Sequence, residues 1–178
     1  MQSKNAPLSL KNENKIFLND VFRRLRFALS LNDQATLEIF ALAEYEMSAE
    51  YLRNLMKKDT EEGFLPLRDK TMCLFLDGLI ITKRGKQTGP NAKPITPLKS
   101  GERLSNNDIL RKIKIAMSYQ EQDMLKNLQL AQFNVGKAEL SALFRNKNHR
   151  NYKKCNNQLL RNFLQGMVLR HRPESVKK

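Results

Sequence analysis

The sequence predicts an all-α protein made of two tandem homologous four-helix repeats joined by a Pro/Gly-rich linker. Three observations predict it. First, the chain contains itself twice: residues 19–84 realign on 107–172 with a constant shift of 88 and no gap, and about 15 of the 66 paired positions are identical. NDVFRRLRFALS meets NDILRKIKIAMS, LRNLMKK meets LSALFRN, and MCLFLDGLI meets LRNFLQGMV. Self-similarity at a fixed shift fixes the architecture before any single residue is read. Second, apolar residues recur at helical spacing in both copies. Third, β-branched residues are sparse and nothing alternates with period two over a useful length.

Residues 1–16 are polar with one proline and no period, and read as a flexible N-terminal arm; Ile16, Phe17 and Leu18 are expected to dock on the first helix. Repeat 1 spans 17–84. Its first helix is expected over Asp20–Leu31 with Asn19 as N-cap, because Val21, Phe22, Leu25, Ala28 and Leu29 form one stripe. Repeat 2 copies the stripe as Ile109, Leu110, Ile113, Ala116 and Met117. Asn32 or Asp33 opens helix 2, which carries Leu37, Phe40, Ala41 and Ala43. Ser48 caps helix 3, where Leu52, Leu55 and Met56 match Leu140, Leu143 and Phe144. Asp69 is expected to cap helix 4, with Met72, Phe75, Leu76 and Leu79 inward. Residues 85–103, GKQTGPNAKPITPLKSGER, hold three of the six prolines and three of the seven glycines and read as a linker. Repeat 2 follows over 104–172, with a short tail over 173–178.

Two repeated features sharpen the expectation. Gly78 and Gly166 sit mid-helix at matching positions. Glycine there costs about 0.5–1 kcal/mol against alanine, so its use twice points to close backbone contact with another helix. Gly63 matches Asn151, each just before an aromatic, Phe64 or Tyr152. Both residue types tolerate positive φ, so the same left-handed turn is expected in each repeat, with the aromatic folded back on the core.

Composition bounds the function. No run of 18 apolar residues suggests membrane insertion, and the polar N-terminus lacks the apolar core of a secretory signal. Cytoplasmic is the expected location. Cys73 and Cys155 do not occupy equivalent repeat positions and form no CxxC, so both read as reduced structural thiols. His149 and His171 belong to no ligand pattern, so no metal site and no cofactor are expected. No nucleophile elbow, P-loop, GxGxxG or HExxH is present, and no catalytic residue is assigned. The protein reads as non-enzymatic. Asp59, Glu61 and Glu62 are the densest acidic group, but they meet Lys147, His149 and Arg150 in the other copy, so an acid/base pair would exist in one repeat only.

Charge carries the functional reading. Net charge is +14, yet repeat 1 balances 10 Lys/Arg against 11 Asp/Glu while repeat 2 sets 13 against 4. A field concentrated in one of two homologous units attracts a polyanion. The segment RNKNHRNYKK supplies Arg145, Lys147, His149, Arg150, Lys153 and Lys154, with interleaved amides and Tyr152. Phosphate recognition uses cations with hydrogen-bond donors, and single-stranded RNA adds planar groups for stacking. Tyr152 nevertheless aligns with Phe64 and reads first as core. Arg111, Lys112 and Lys114 lie off the helix 1 stripe, although Arg23, Arg24 and Arg26 match them. Arg161, Arg170 and Arg172 extend the patch on helix 4.

The combination NDVFRRLRFAL, KKDTEEGF, FLDGLIITKRGK, then NNDILRKIKIAMS and HRNYKKCNNQLLRNFLQGM resembles a YehS-like family of small bacterial proteins built from a duplicated domain of unknown function. The similarity covers residues 17–172, with motifs in order in both halves; the polar arm departs from it. The resemblance implies a bacterial cytosolic origin and the duplicated all-α design. It brings no activity, cofactor or site residue. The expected function is therefore nucleic-acid binding through repeat 2, with RNA or a ribonucleoprotein slightly preferred over DNA. The alternatives are a protein-interaction or regulatory module docking on an acidic protein partner, or a helix-turn-helix-like DNA binder that uses helices 2 and 3. Oligomeric state and repeat packing stay open at this level.

Overall fold

The computed structural model describes residues 10–92, 95 and 97–176, which form eight α-helices and one short 3-10 helix and, among the described residues, no strand. Repeat 1 supplies α1 (Leu10–Ala28), α2 (Asp33–Leu42), α3 (Ala49–Met56) and α4 (Asp69–Arg84). Repeat 2 supplies α5 (Asn106–Ala116), α6 (Glu121–Leu130), α7 (Lys137–Leu143) and α8 (Asn157–His171). Helix number and order match between the copies. The described residues of 85–103 form no helix, and Leu98 and Leu104 pin the segment to the core.

The side chains that start the helices follow ordinary capping chemistry at several ends. Asn32 and Ser48 accept from the backbone of Ala35 and Tyr51, and Ser105 and Asp108 close a capping box on α5. Asp69 is the first residue of α4 rather than its cap; Arg68 holds the cap position without a side-chain bond.

Asn19 is not a cap either. Helix α1 begins at Leu10, inside the stretch read as an arm, so Asn19 lies within the helix, 0% exposed. Residues 1–9 lie outside the described residues. The Asn19 amide donates to the carbonyls of Leu55 (2.8 Å) and Leu65 (2.9 Å) and accepts from the Leu67 amide (2.8 Å). Asn107 repeats this with Leu143 (2.8 Å), Lys153 (2.9 Å) and Cys155 (2.9 Å). One primary amide satisfies three backbone groups, two of them in buried bonds, and ties the loop between the third and fourth helices to the first.

The first two helices of each repeat end in left-handed residues that are not glycine. Ser30, Glu44, Ser118 and Gln132 have φ of 54, 59, 53 and 56°. Their successors Leu31, Tyr45, Tyr119 and Phe133 donate back to Arg26, Phe40, Lys114 and Leu128 at 2.9–3.1 Å, as in a Schellman motif. A side chain in this region is strained by about 1 kcal/mol or more. Gln132→Gly is therefore expected to raise stability by about 0.5–1 kcal/mol in urea melts, the gain being reduced by the looser unfolded chain; unchanged or lower stability would mean that the strain is relieved elsewhere.

The turn before Phe64 and Tyr152 departs from expectation. Gly63 is left-handed, at φ 80°, but Asn151 is not. Both turns keep the bond from the aromatic's N–H to the residue three before it, 3.1 Å to Glu61 and 2.9 Å to His149. Asn151 avoids the left-handed strain, and its N–H donates to His149 Nδ1 at 3.1 Å. Neither Phe64 nor Tyr152 joins the core; both are half-buried outside it.

The repeats share one core. Helix α1 packs on α8 and α4 packs on α5, so the first helix of each repeat lies against the fourth of the other. Asp20 meets Arg161 while the Phe27 carbonyl meets Arg172, so α1 and α8 run parallel. Asp77 meets Lys112 and Arg84 reaches the Ile115 carbonyl, so α4 and α5 do the same. This pairing brings the loop 57–67, stapled to Asn19, to the same end as the loop 145–155 that leads into α8. Gly78 and Gly166 make the close approaches that their positions implied. A Cβ on Gly78 would lie 1.9 Å from the Ile39 carbonyl oxygen, and one on Gly166 would lie 1.6 Å from that of Asn127. The helices so seated are α4 on α2 and α8 on α6, the second helix of the same repeat in each case.

Candidate nucleic-acid interface

The end loop of repeat 2 is held in one shape by its own backbone. Asn107 binds the Lys153 carbonyl, the Lys153 N–H donates to Ala142 (3.1 Å), and the His149 N–H donates to Asn146 (2.9 Å). The Asn146 side-chain oxygen accepts from the Asn148 N–H at 3.0 Å. Between this loop and the first turn of α5 lies an open groove of about 380 Å³, lined by Asn107, Asp108, Arg111, Arg145, Asn146, Lys147, Asn148 and Tyr152.

Three of the sequence-assigned cations, Arg111, Arg145 and Lys147, therefore meet in one concavity. Arg111 donates to the Phe144 carbonyl at 3.0 Å, which places its guanidinium at the C-terminus of α7. Lys114 lies 5.5 Å from the centre of the adjacent Phe144 ring. Arg145 approaches His149 Nδ1 at 3.5 Å. Lys147, His149, Arg150 and Lys154 are exposed, and none forms an ion pair among the described residues. Lys153 pairs with Glu139 at 2.6 Å. The one carboxylate in the groove, Asp108, is occupied: it accepts from Ser105 and faces Arg111.

The remaining assigned cations make contacts within the protein and do not line the groove. Lys112 is not a surface charge; its ammonium pairs with Asp77, which is 4% exposed, across the repeat boundary. Arg161 reaches Asp20 at 3.7 Å and lies over the Phe17 ring at 5.0 Å. Arg172 covers Phe27 at 4.1 Å. Arg170 binds Asp123 at 2.8 Å and lies 5.0 Å from the Tyr119 ring. Part of the positive surplus of repeat 2 thus fastens it to repeat 1. The signal that could have separated Lys112 and Arg161 from the patch is their partners, Asp77 and Asp20, which lie far away in the sequence.

Repeat 1 builds the equivalent loop differently. Lys57, at the position of Arg145, folds onto the Glu62 carbonyl at 2.8 Å, and Glu61 accepts from the Lys58 N–H at 2.5 Å. Asp59, Glu61 and Glu62 form no ion pair with the basic loop. They are an exposed acidic surface.

Both cysteines are free and buried. Burial pushes the Cys155 thiol up to about 12 and also raises Cys73. Among the described residues no group of His, Cys, Asp and Glu side chains could hold a metal ion, and no helix is long and apolar enough to cross a membrane. His171 shares a 2.6 Å hydrogen bond with the Tyr119 hydroxyl. Desolvation, then Arg170 and Lys83, lower its pKa from the ordinary 6.5. The unfolded chain then takes up a proton before the folded one does. Stability is therefore expected to fall as pH drops from about 6.5 through the lower folded value, and His171→Gln should remove that component of a pH-dependent melt.

Comparison with known proteins places this arrangement. The family described as "Protein of unknown function (DUF1456)" matches residues 18–85 and again 106–172, one match per repeat. The uncharacterized protein YehS of Escherichia coli (strain K12) is 37% identical over 152 residues, which cover 85% of this chain and 94% of that protein. No solved structure matches. With both repeats matched and a relative of this closeness, the chain belongs to the DUF1456 family.

Proposed function

We propose that the protein binds nucleic acid, RNA slightly in preference to DNA, with phosphates held along the groove and loop of repeat 2. The observation that carries this is the convergence of Arg111, Arg145 and Lys147 with amide donors in one groove; repeat 1 keeps cations, Arg23 and Lys57, at the first two positions but has Asp59 in place of Lys147. Phosphate contacts of this kind draw on cations and N–H donors together. Lys114, Arg150, Lys153 and Lys154 widen the field, with His149 beside them; Lys112, Arg161, Arg170 and Arg172 serve the packing instead.

The test is fluorescence anisotropy with the full-length protein, because the shared core makes an isolated repeat an unsuitable reagent. Binding is expected with log K falling by about 2–4 per decade of salt, as three or four phosphate contacts give. Arg145→Glu combined with Lys147→Glu should abolish most of the binding. Absence of binding up to about 100 µM at moderate salt, the weak end of non-specific affinities, would refute the reading.

A further inference from the structure

Resting on that nucleic-acid reading, we infer that the groove seats one unpaired nucleotide, its base stacked on Tyr152, so that the protein prefers single-stranded polynucleotide to duplex. Three observations lead there. The groove, at about 380 Å³, has the size of a small-ligand pocket rather than of a flat cationic face. Its lining is mixed. A phosphate accepts only, so cations and N–H donors serve it, whereas the Asn148 side-chain amide also offers an acceptor suited to a base edge. The Asn148 side chain bonds nothing among the described residues, and the Asn146 oxygen is spent on the loop, which leaves its NH₂ to donate.

The third observation is Tyr152 itself. It is half-buried yet outside the core, its hydroxyl has no protein partner among the described residues, and it lines the groove. An aromatic ring held beside cations is the usual platform for an unstacked base. The loop that carries it is fixed by backbone bonds and by Asn107, so little ordering remains to be done on binding. A duplex keeps its bases stacked on one another and offers none to this ring. Repeat 1 has Lys58, Thr60 and Phe64 at the positions of Asn146, Asn148 and Tyr152, so the amide pair belongs to repeat 2 alone.

The test compares short labelled oligo(rU), oligo(dT) and a duplex of equal length on the full-length protein at one salt concentration. Electrostatics alone favours the duplex, whose charge density and salt slope are higher. Wild type is expected instead to bind single strands roughly ten-fold more tightly, and the rU and dT arms show which sugar is preferred. Tyr152→Leu should weaken single-strand binding about 5- to 150-fold, the range of one lost base stack, and weaken duplex binding much less, while Tyr152→Phe should retain single-strand binding. Photocrosslinking of a 4-thiouridine oligonucleotide to wild type, mapped by mass spectrometry, requires no variant to fold and should mark the peptide that holds Tyr152. Duplex binding as tight as single-strand binding, equal losses on both with Tyr152→Leu, or crosslinks confined to other peptides would overturn the pocket while leaving backbone binding in place. No binding of any of the three would overturn both readings.

Discussion

Gly166→Ala is expected to destabilise the protein by about 3 kcal/mol, the upper part of the range for overpacking. Two effects compete at this position. Helix propensity favours alanine over glycine by about 1 kcal/mol. Against it, the new Cβ would lie 1.6 Å from the Asn127 carbonyl oxygen, an atom of the α6 backbone that no rotamer change can move. The helices must separate, and the packing lost around Phe163 and Leu164 outweighs the propensity. Gly78→Ala should behave alike against the Ile39 carbonyl at 1.9 Å. For a chain of this size the melting temperature should drop by roughly 6–12 °C. A rise in melting temperature would mean that propensity wins and that the close approach is not real.

Asn107→Ala is expected to cost about 3–5 kcal/mol, because two buried backbone groups and one part-buried carbonyl lose their partner at once and each buried orphan costs about 1–3 kcal/mol. Asn107→Asp is the sharper variant. It keeps the shape and the acceptor for the Cys155 N–H, but it replaces two donors with a carboxylate that faces the Leu143 and Lys153 carbonyls. It should therefore be at least as damaging as alanine in chemical denaturation. Wild-type stability of the aspartate variant would contradict the role given to the amide.

These two positions also mark what the sequence makes legible. The duplication shows the fold class and helix order, and a glycine recurring mid-helix is a residue whose cost demands a reason. Asn19 and Asn107 carry the same recurrence, yet asparagine before an apolar stripe is also what a helix cap looks like. The polar turns of α1 before Phe17 have no apolar stripe to announce them. The left-handed ends at Ser30, Glu44, Ser118 and Gln132 are hidden because their residue types usually avoid that region. The cross-packing of α1 on α8 and α4 on α5 is invisible to periodicity, which says that a face is buried but not against what. For the same reason the sequence does not separate Lys112, which pairs with Asp77, from the other cations of repeat 2. Within the candidate site the loop from Arg145 to Lys154 was legible from cation density. The placement of Tyr152 was not, since alignment with Phe64 pointed to the core and both aromatics lie outside it.

The most direct measurement of the central claim gives the end loop of repeat 2 the charge of its counterpart in repeat 1. Lys147→Asp, His149→Glu and Arg150→Glu give repeat 2 the residues that repeat 1 carries at 59, 61 and 62. All three side chains are exposed, so the melting temperature should stay near that of wild type. Polynucleotide affinity, read by anisotropy at constant salt, should fall by about ten-fold or more as phosphate contacts are lost. Full affinity in a variant that folds normally would contradict the assignment of the interface to this loop.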